Sequence, residues 1–121
     1  MTKQLKKLKS KKINITNGLF YCNENEDLYF EILDTVLEEG NEKIELLEKW
    51  AEQKDFVGYY REVHALKNVT ATIGADYFTE FLSDLCAEMK ATNEFPAPKK
   101  VRYLMKHYLK LIKNIENSKK S

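Results

Sequence analysis

The sequence predicts an all-α protein, specifically an antiparallel four-helix bundle with an additional N-terminal helix packed at one end. From Glu26 onward, apolar residues recur at three- and four-residue steps, which is the spacing of amphipathic helices. No alternating run of polar and apolar residues is long enough to indicate a strand. The later predicted helices are joined by short connections, which favours antiparallel neighbours.

The bulk composition is typical of a single globular domain. The chain has 121 residues, of which 43% are hydrophobic and 32% are charged. The net charge of +1 gives no strong overall field, and no apolar run approaches the ~18 residues that span a bilayer. Cys22 and Cys86 are too few for a disulfide framework or a zinc cluster. We therefore expect a cytoplasmic protein with no nucleic-acid partner, no membrane contact by this segment, and no metal or cofactor of its own.

Residues 1–17 are interpreted as a basic tail or linker. Like charges crowd the first dozen positions, where the lysines are Lys3, Lys6, Lys7, Lys9, Lys11 and Lys12. Such a run favours a mobile, solvated segment, and binding of nucleic acid or acidic lipid is the alternative. Residues 14–25 combine Gly18 with several asparagines and are predicted to be a loop with short local order. The bundle domain is assigned to residues 18–117 and a C-terminal tail to residues 118–121.

Two helices are predicted between Glu26 and Lys54. The first begins at Glu26 and ends at Gly40 and Asn41, because glycine and asparagine are common just after the end of a helix. The second carries Ile44 and the apolar residues that follow it at helical spacing, up to about Lys54. The first of these helices is the one expected to pack across one end of the bundle.

Three further helices complete the predicted bundle. Asp55 is a candidate N-cap of the third helix, which Gly74 ends, and Asp76 is a candidate cap of the fourth. Pro96 and Pro98 then separate the fourth helix from the last. The methionine and aromatic stripes of these helices are interpreted as core rather than as a cofactor site. The third helix has an inward stripe of Tyr59, Val63, Leu66, Thr70 and Ile73.

His64 lies on the outward face of this third helix. Because successive helical residues are ~100° apart, His64 points roughly 140° away from the centre of the inward stripe. Lys67 follows one turn later and Ala71 two turns later, while Tyr60 precedes His64 by one turn. A neutral imidazole can attack a phosphoryl group without a base, and a lysine one turn away can hold the oxygens of the product. The small side chain of Ala71 leaves room for a partner, and the alternative is an ordinary solvated histidine.

The segment "HALKNVTATIGADYF" resembles the signature of histidine-containing phosphotransfer (HPt) domains, which reads approximately H-x-L-K-G-x-x-x-x-x-G-A. The matches without a gap are His64, Leu66, Lys67, Gly74 and Ala75. Of these, Leu66, Gly74 and Ala75 are the structural members of the motif. The segment "GLFYCNENEDLYFEIL" is similar to the entry segment and first helix of such domains in hybrid sensor kinases. The resemblance covers roughly residues 18–115.

The resemblance implies a phosphocarrier that is not itself an enzyme. HPt domains accept a phosphoryl group from the aspartate of a receiver domain and pass it to another receiver, and they work with a histidine kinase in the same or another chain. By this analogy His64 carries the group on Nε2 and Lys67 neutralises it. Tyr60, Asn68 and Ala71 are then candidates for the docking surface. The receiver, rather than this chain, would supply a magnesium ion.

Two positions depart from the family pattern. HPt domains usually have glycine where this chain has Asn68, and asparagine adds bulk at the rim of the docking surface. Many members have Gln or Glu where this chain has Cys86, and that side chain can bond the second imidazole nitrogen. Because a thiol is a weak hydrogen-bonding group, Cys86 is interpreted as a packing residue rather than a redox group, and a strong bond from it to His64 is not expected. The alternative function is therefore an HPt-like interaction module that binds a receiver or kinase domain and is never phosphorylated.

No other constellation in the sequence indicates chemistry. His107 lies among lysines with no acidic neighbour and is interpreted as a surface residue. No carboxylate pair shares a predicted concave site, and neither a Glu-x-x-His metal motif nor a glycine-rich phosphate loop is present. A nucleic-acid-binding helical protein that uses the N-terminal lysines is a third interpretation.

Overall fold

The computed structural model describes residues 1–120 and contains six helices, with no strand in that part of the chain. The helices are α1 (Lys3–Ser10), α2 (Ile15–Tyr21), α3 (Glu26–Gln53), α4 (Phe56–Ile73), α5 (Asp76–Thr92) and α6 (Pro98–Ser118). The prediction of an all-α protein is confirmed. The helices from Phe56 onward begin and end close to the predicted positions. Asp76, however, is the first residue of α5 rather than its cap, because the N-cap position is Ala75.

The prediction that Gly40 and Asn41 end a helix was wrong, because α3 continues through both residues. Gly40 is buried, and a Cβ atom there would lie 3.1 Å from Ile112 Cδ1 of α6. The glycine therefore serves the close approach of α3 to α6 and does not end the helix. The helix ends instead at Lys54, which caps it in the left-handed conformation with a φ of 51°.

The structure also differs from the mobile tail expected at the N-terminus. Thr2 caps α1 by accepting a hydrogen bond from the Leu5 amide at 3.2 Å. Leu5 and Leu8 are buried where α1 packs on α6, while most of the lysines of α1 face solvent. Two leucines three residues apart are sufficient to attach this basic helix, because α6 supplies the rest of the apolar contact.

The segment expected to be a loop, residues 14–25, contains the helix α2. Asn14 caps α2 by accepting a hydrogen bond from the Asn17 amide at 3.1 Å. The helix packs on α3 and α4. The buried Tyr29 hydroxyl of α3 donates to the Ile73 carbonyl of α4 at 2.8 Å, beside this contact. At the other end of the chain, α6 reaches Ser118, which is buried, and position 121 of the expected C-terminal tail lies outside the described residues.

The four longest helices form a closed ring of contacts around one core. The helix α3 packs on α4 and α6, and α4 packs on α5. Between α5 and α6, the rings of Phe81 and Tyr103 have centroids 4.5 Å apart, and Lys100 forms an ion pair with Glu88 at 2.6 Å. The predicted core role of the aromatic stripes is confirmed for Tyr59, Tyr108 and Phe78, which are buried together with Tyr29 of α3.

Candidate functional site

The helix α4 carries the candidate site, and local signals determine where it begins and ends. The Asp55 carboxylate accepts a hydrogen bond from the Gly58 amide at 2.9 Å and so caps the first turn. Gly74 ends the helix with a φ of 85°. Every residue of the predicted inward stripe is buried, namely Tyr59, Val63, Leu66, Thr70 and Ile73. Because this stripe faces the core, His64 is on the opposite side of α4 and is exposed.

His64 stands at the edge of a shallow apolar hollow. The ring of Tyr60 lies 6.0 Å from the imidazole between centroids, and Phe56 stacks on Tyr60 at 6.1 Å with an interplanar angle of 5°. Val57 and Arg61 complete the lining of this hollow, which has a volume of about 350 Å³. No side chain among residues 1–120 makes a hydrogen bond to the imidazole. The ring is therefore open to a partner and is flanked by aromatic surface.

Val57 and Phe56 were not identified from the sequence, although a signal was present. Val57 precedes His64 by seven residues and therefore lies two helical turns away on the same outward face. Its side chain is 62% exposed and lines the hollow beside His64. Together with Phe56 and Tyr60, it gives α4 an exposed apolar surface beside His64.

Lys67 lies one turn beyond His64 and is partly buried. It takes part in neither of the two ion pairs found among the described residues, so no carboxylate lies within 4.0 Å of its ammonium group there. Asn68 is exposed and Ala71 is partly buried, so α4 offers a continuous outward strip from Val57 to Ala71. The ammonium group of Lys67 is therefore free to accept an anionic partner beside His64.

Cys86 lies behind this strip, on α5. Its side chain is only 4% exposed, and burial raises the pKa of the thiol, while the nearby ammonium groups of Lys67 and Lys90 lower it. The dominant effect is burial, which favours the neutral thiol. The thiol makes no hydrogen bond to His64. The position is close to Lys67 but gives the imidazole no restraint in the described structure.

The remaining motif residues lie away from the surface. Leu66 and Ala75 are 2% and 0% exposed, and Gly74 is buried against Asn14 and Gly18. The Gly74 carbonyl accepts a hydrogen bond from the Asn14 amide at 2.7 Å. The Gly-Ala pair therefore shapes the turn from α4 to α5 and anchors the entry to α2.

The interpretation of His107 as a plain surface residue needs correction. The side chain is partly buried, and its ring packs 4.0 Å from that of Tyr103 between centroids. Tyr77 and Phe78 of α5 lie at 6.2 and 6.5 Å by the same measure. The ring of Tyr103 lies one helical turn before His107 on α6, whereas the rings of Tyr77 and Phe78 reach it only because α5 packs on α6.

Two general features of the described residues bear on the site. No three His, Cys, Asp or Glu side chains between residues 1 and 120 are grouped closely enough to hold a metal ion. None of the helices in that part of the chain combines the length and the apolar character needed to cross a membrane.

Comparison with known proteins gives one positive result. Residues 31–115 match the sequence model of a family described as the Hpt domain, and this match covers 85 of the 121 residues. It includes His64 and the whole of α4 and α5. No curated protein and no solved structure matches the chain significantly.

Proposed function

The chain belongs to the Hpt domain family, whose members carry phosphoryl groups on histidine in two-component signalling, and on this basis we propose that His64 is the phosphoryl acceptor. The group comes from the aspartyl phosphate of a receiver domain and passes to the aspartate of another receiver. The observation that carries the proposal is the exposed imidazole on the outward face of α4, next to Lys67. Within residues 1–120, no side chain bonds the imidazole and no carboxylate pairs with the lysine. A histidine kinase in the same or another chain starts the sequence of transfers.

The chemistry of each transfer balances without a base from this chain. The lone pair on His64 Nε2 attacks the phosphorus atom of the receiver's aspartyl phosphate, and the bond between phosphorus and the carboxylate oxygen breaks. The aspartate leaves as a carboxylate with the bonding electrons, and the imidazole keeps its Nδ1 proton. In the onward step the carboxylate of the second receiver attacks and His64 Nε2 is the leaving group. Because the family acts as a carrier, the chain itself is not an enzyme.

Each neighbour of His64 has a distinct part in this proposal. The ammonium group of Lys67 neutralises the phosphoryl oxygens one helical turn from the imidazole. Tyr60, Asn68 and Ala71 lie on the strip that meets the receiver, and Val57 extends it with exposed apolar surface. The magnesium ion that assists phosphoryl transfer belongs to the receiver.

The contacts among the four longest helices support an antiparallel four-helix bundle as the finer arrangement of the fold. The connection of only two residues between α4 and α5 also favours antiparallel neighbours.

A transfer assay tests this function against the second candidate, an interaction module that is never phosphorylated. The bulk of Asn68 and the lack of a hydrogen-bonding side chain at Cys86 are the observations that favour the second candidate. The chain is incubated with a receiver domain labelled on its aspartate, and acid-labile label on the chain is measured. A phosphocarrier takes up the label. A chain that binds the receiver but remains unlabelled is an interaction module, and the proposal is then wrong.

The variant Lys67→Ala is expected to slow phosphoryl transfer roughly tenfold, because an ammonium group near a phosphoryl group on a wet surface contributes about 1 kcal/mol or somewhat more. Rapid-quench transfer from a labelled receiver measures the rate. Lys67→Arg keeps the charge and should retain most of the rate, and neither variant should alter the unfolding temperature. An unchanged rate in Lys67→Ala would show that the lysine has no role in transfer.

The variant Cys86→Gln is expected to raise the yield of phosphohistidine roughly two- to tenfold, the effect of about 0.5–1.5 kcal/mol for one added hydrogen bond. The side-chain carbonyl oxygen of the glutamine would accept a hydrogen bond from the Nδ1–H group of His64 and order the ring. NMR signals of the imidazole should sharpen, and the labelled fraction at equilibrium reports the yield. Cys86→Ala provides the control, because it removes the thiol without adding an acceptor. Equal yields for the two variants would rule out this restraint.

A further inference from the structure

The small net charge of the chain conceals a strong separation of charge. Residues 1–12 and 98–120 contain fourteen of the twenty lysines and arginines, but only one of the nineteen carboxylates, that of Glu116. These segments form α1 and α6, which pack on each other. Because α6 contacts α3 and α5, it lies diagonally across the ring from α4. The basic surface is therefore on the side of the protein away from His64.

Within this basic surface, a hollow of about 420 Å³ opens between the end of α1, the start of α5 and the middle of α6. Its volume is in the range of small-molecule sites. Its lining consists of Ser10, Lys11, Lys12, Tyr77, His107, Lys110 and Asn114. No carboxylate is among these residues.

The three lysines of the hollow are paired with no carboxylate among residues 1–120. The two ion pairs found within residues 1–120 involve Lys100 and Lys119, so neither Lys11, Lys12 nor Lys110 has a carboxylate within 4.0 Å in that part of the chain. Like charges that converge on one concave surface repel one another and focus a positive potential into it. A bound anion would offset that repulsion and would connect the α1–α2 segment to α6.

His107 supplies a neutral donor beside these charges. Its Nδ1 atom is buried without a hydrogen-bond partner among the described residues, and its ring is held by Tyr103 and Tyr77. Since no acceptor is available for a proton on Nδ1, the neutral ring carries its proton on Nε2, where it can donate to a ligand. Burial lowers the pKa of His107, and the charges of Lys106 and Lys110 lower it further.

We propose that this hollow binds a small, multiply charged phosphate-bearing anion. Lys11, Lys12 and Lys110 provide the charge, since lysine binds phosphate as a point charge that tolerates several geometries. The Nε2–H group of His107 and the side-chain amide of Asn114 provide directed hydrogen bonds. The site is separate from His64 and does not depend on phosphoryl transfer.

Inorganic pyrophosphate is the probe for this site. Calorimetric titration at physiological salt, where long-range attraction is screened, should give one saturable site. The double variant Lys11→Gln/Lys110→Gln should weaken binding by about tenfold or more, whereas Lys90→Gln/Lys99→Gln, with the same loss of charge outside the hollow, should change it less than about twofold. His64→Gln should bind pyrophosphate as the native chain does.

The pKa of His107 gives an independent measurement. The titratable groups that face its ring are Tyr103, Lys106 and Lys110 on α6, Lys11 and Lys12 from the α1–α2 segment, and Tyr77 on α5. An anion held among them favours the protonated imidazole, so the His107 pKa measured by NMR should rise on addition of pyrophosphate. The NMR signals of the His64 imidazole should not move on addition of pyrophosphate and serve as the internal control.

Three results would overturn the proposal. The first is equal weakening of pyrophosphate binding by both double variants, which indicates diffuse attraction rather than a site. The second is an unchanged His107 pKa at saturating pyrophosphate. The third is binding to phosphatidylglycerol vesicles or duplex DNA with no binding of pyrophosphate, which would assign the basic surface to a membrane or a nucleic acid instead.

Discussion

The variant His64→Gln is expected to take up no acid-labile label from a phosphorylated receiver, while His107→Gln is labelled as the native chain is. The reason is chemical as well as positional. Glutamine has the approximate reach of histidine but no nucleophilic ring nitrogen, so the step in which Nε2 attacks phosphorus has no substitute. His107 is the only other histidine, and its Nδ1 atom is buried in an aromatic cluster on α6, away from the α4 strip.

The structure makes this a clean comparison, because His64 is exposed and bonded to no side chain among the described residues. Exposed substitutions of this kind typically change stability by less than about 0.5 kcal/mol. Receiver binding and the unfolding temperature should therefore stay close to native values while labelling is lost. Undiminished label on His64→Gln, stable to base and labile to acid, would assign the phosphoryl group to another residue and contradict the proposed function.

The register of α4 could be predicted because its pattern is long and redundant. Five inward residues, a capping aspartate and a terminal glycine all indicate the same helix. Misreading any one of these positions would therefore leave the predicted inward and outward faces of α4 unchanged. The outward direction of His64 and Lys67 follows from that register alone. The structural role of Gly74 and Ala75 could also be predicted from the sequence, since a glycine just before the start of a second helix is a common helix-ending signal.

The continuity of α3 could not be predicted from local signals. Gly40 followed by Asn41 is typical of a helix end, and only the neighbouring helix shows why the chain continues. The side chain of Ile112 occupies the space that a larger residue at position 40 would need. A contact between residues so distant in sequence cannot be recognised from the residues around Gly40 alone. Here tertiary packing overrides the local preference for a helix end.

The helix α1 was missed for a related reason. Its apolar content is two leucines among lysines, too little to predict a stable helix in isolation. The surface of α6 that covers Leu5 and Leu8 comes from the opposite end of the sequence. The rings of Tyr77 and Phe78 that pack on His107 likewise come from a different helix, α5. Most features that the sequence failed to reveal are contacts between distant segments, and the features that it revealed lie within one helix or one turn. The apolar surface of Phe56 and Val57 is an exception, since it lies on α4 together with His64.

Gly74→Ala is expected to destabilise the fold by about 2–5 kcal/mol, the second large effect. The backbone at Gly74 has a φ of 85°, and a side chain in this left-handed conformation costs about 1–2 kcal/mol. A Cβ atom would also overlap the carbonyl oxygen of Asn14, and overpacking of this kind costs about 1–3 kcal/mol. Neither partner can move freely, because the Asn14 amide donates to the Gly74 carbonyl at 2.7 Å. Thermal unfolding followed by circular dichroism should show a midpoint lowered by roughly 10 °C or more.

Gly40→Ala is the matched control, since it makes the same chemical change at a buried glycine inside a helix. There the added Cβ would lie 3.1 Å from the flexible tip of Ile112, and alanine gains about 1 kcal/mol of helix propensity over glycine, so the two effects nearly cancel. A large loss at Gly40 with little change at Gly74 would contradict the assignment of Gly74 as a conformational requirement. We expect Gly74→Ala to unfold at a lower temperature than Gly40→Ala, which would show that glycine is required at the α4–α5 turn. That turn holds the start of α2 against the end of α4, the helix that carries His64. Gly74→Ala should therefore also reduce labelling, in proportion to the unfolded fraction of the protein. The reduction would not come from a lost contact with the receiver.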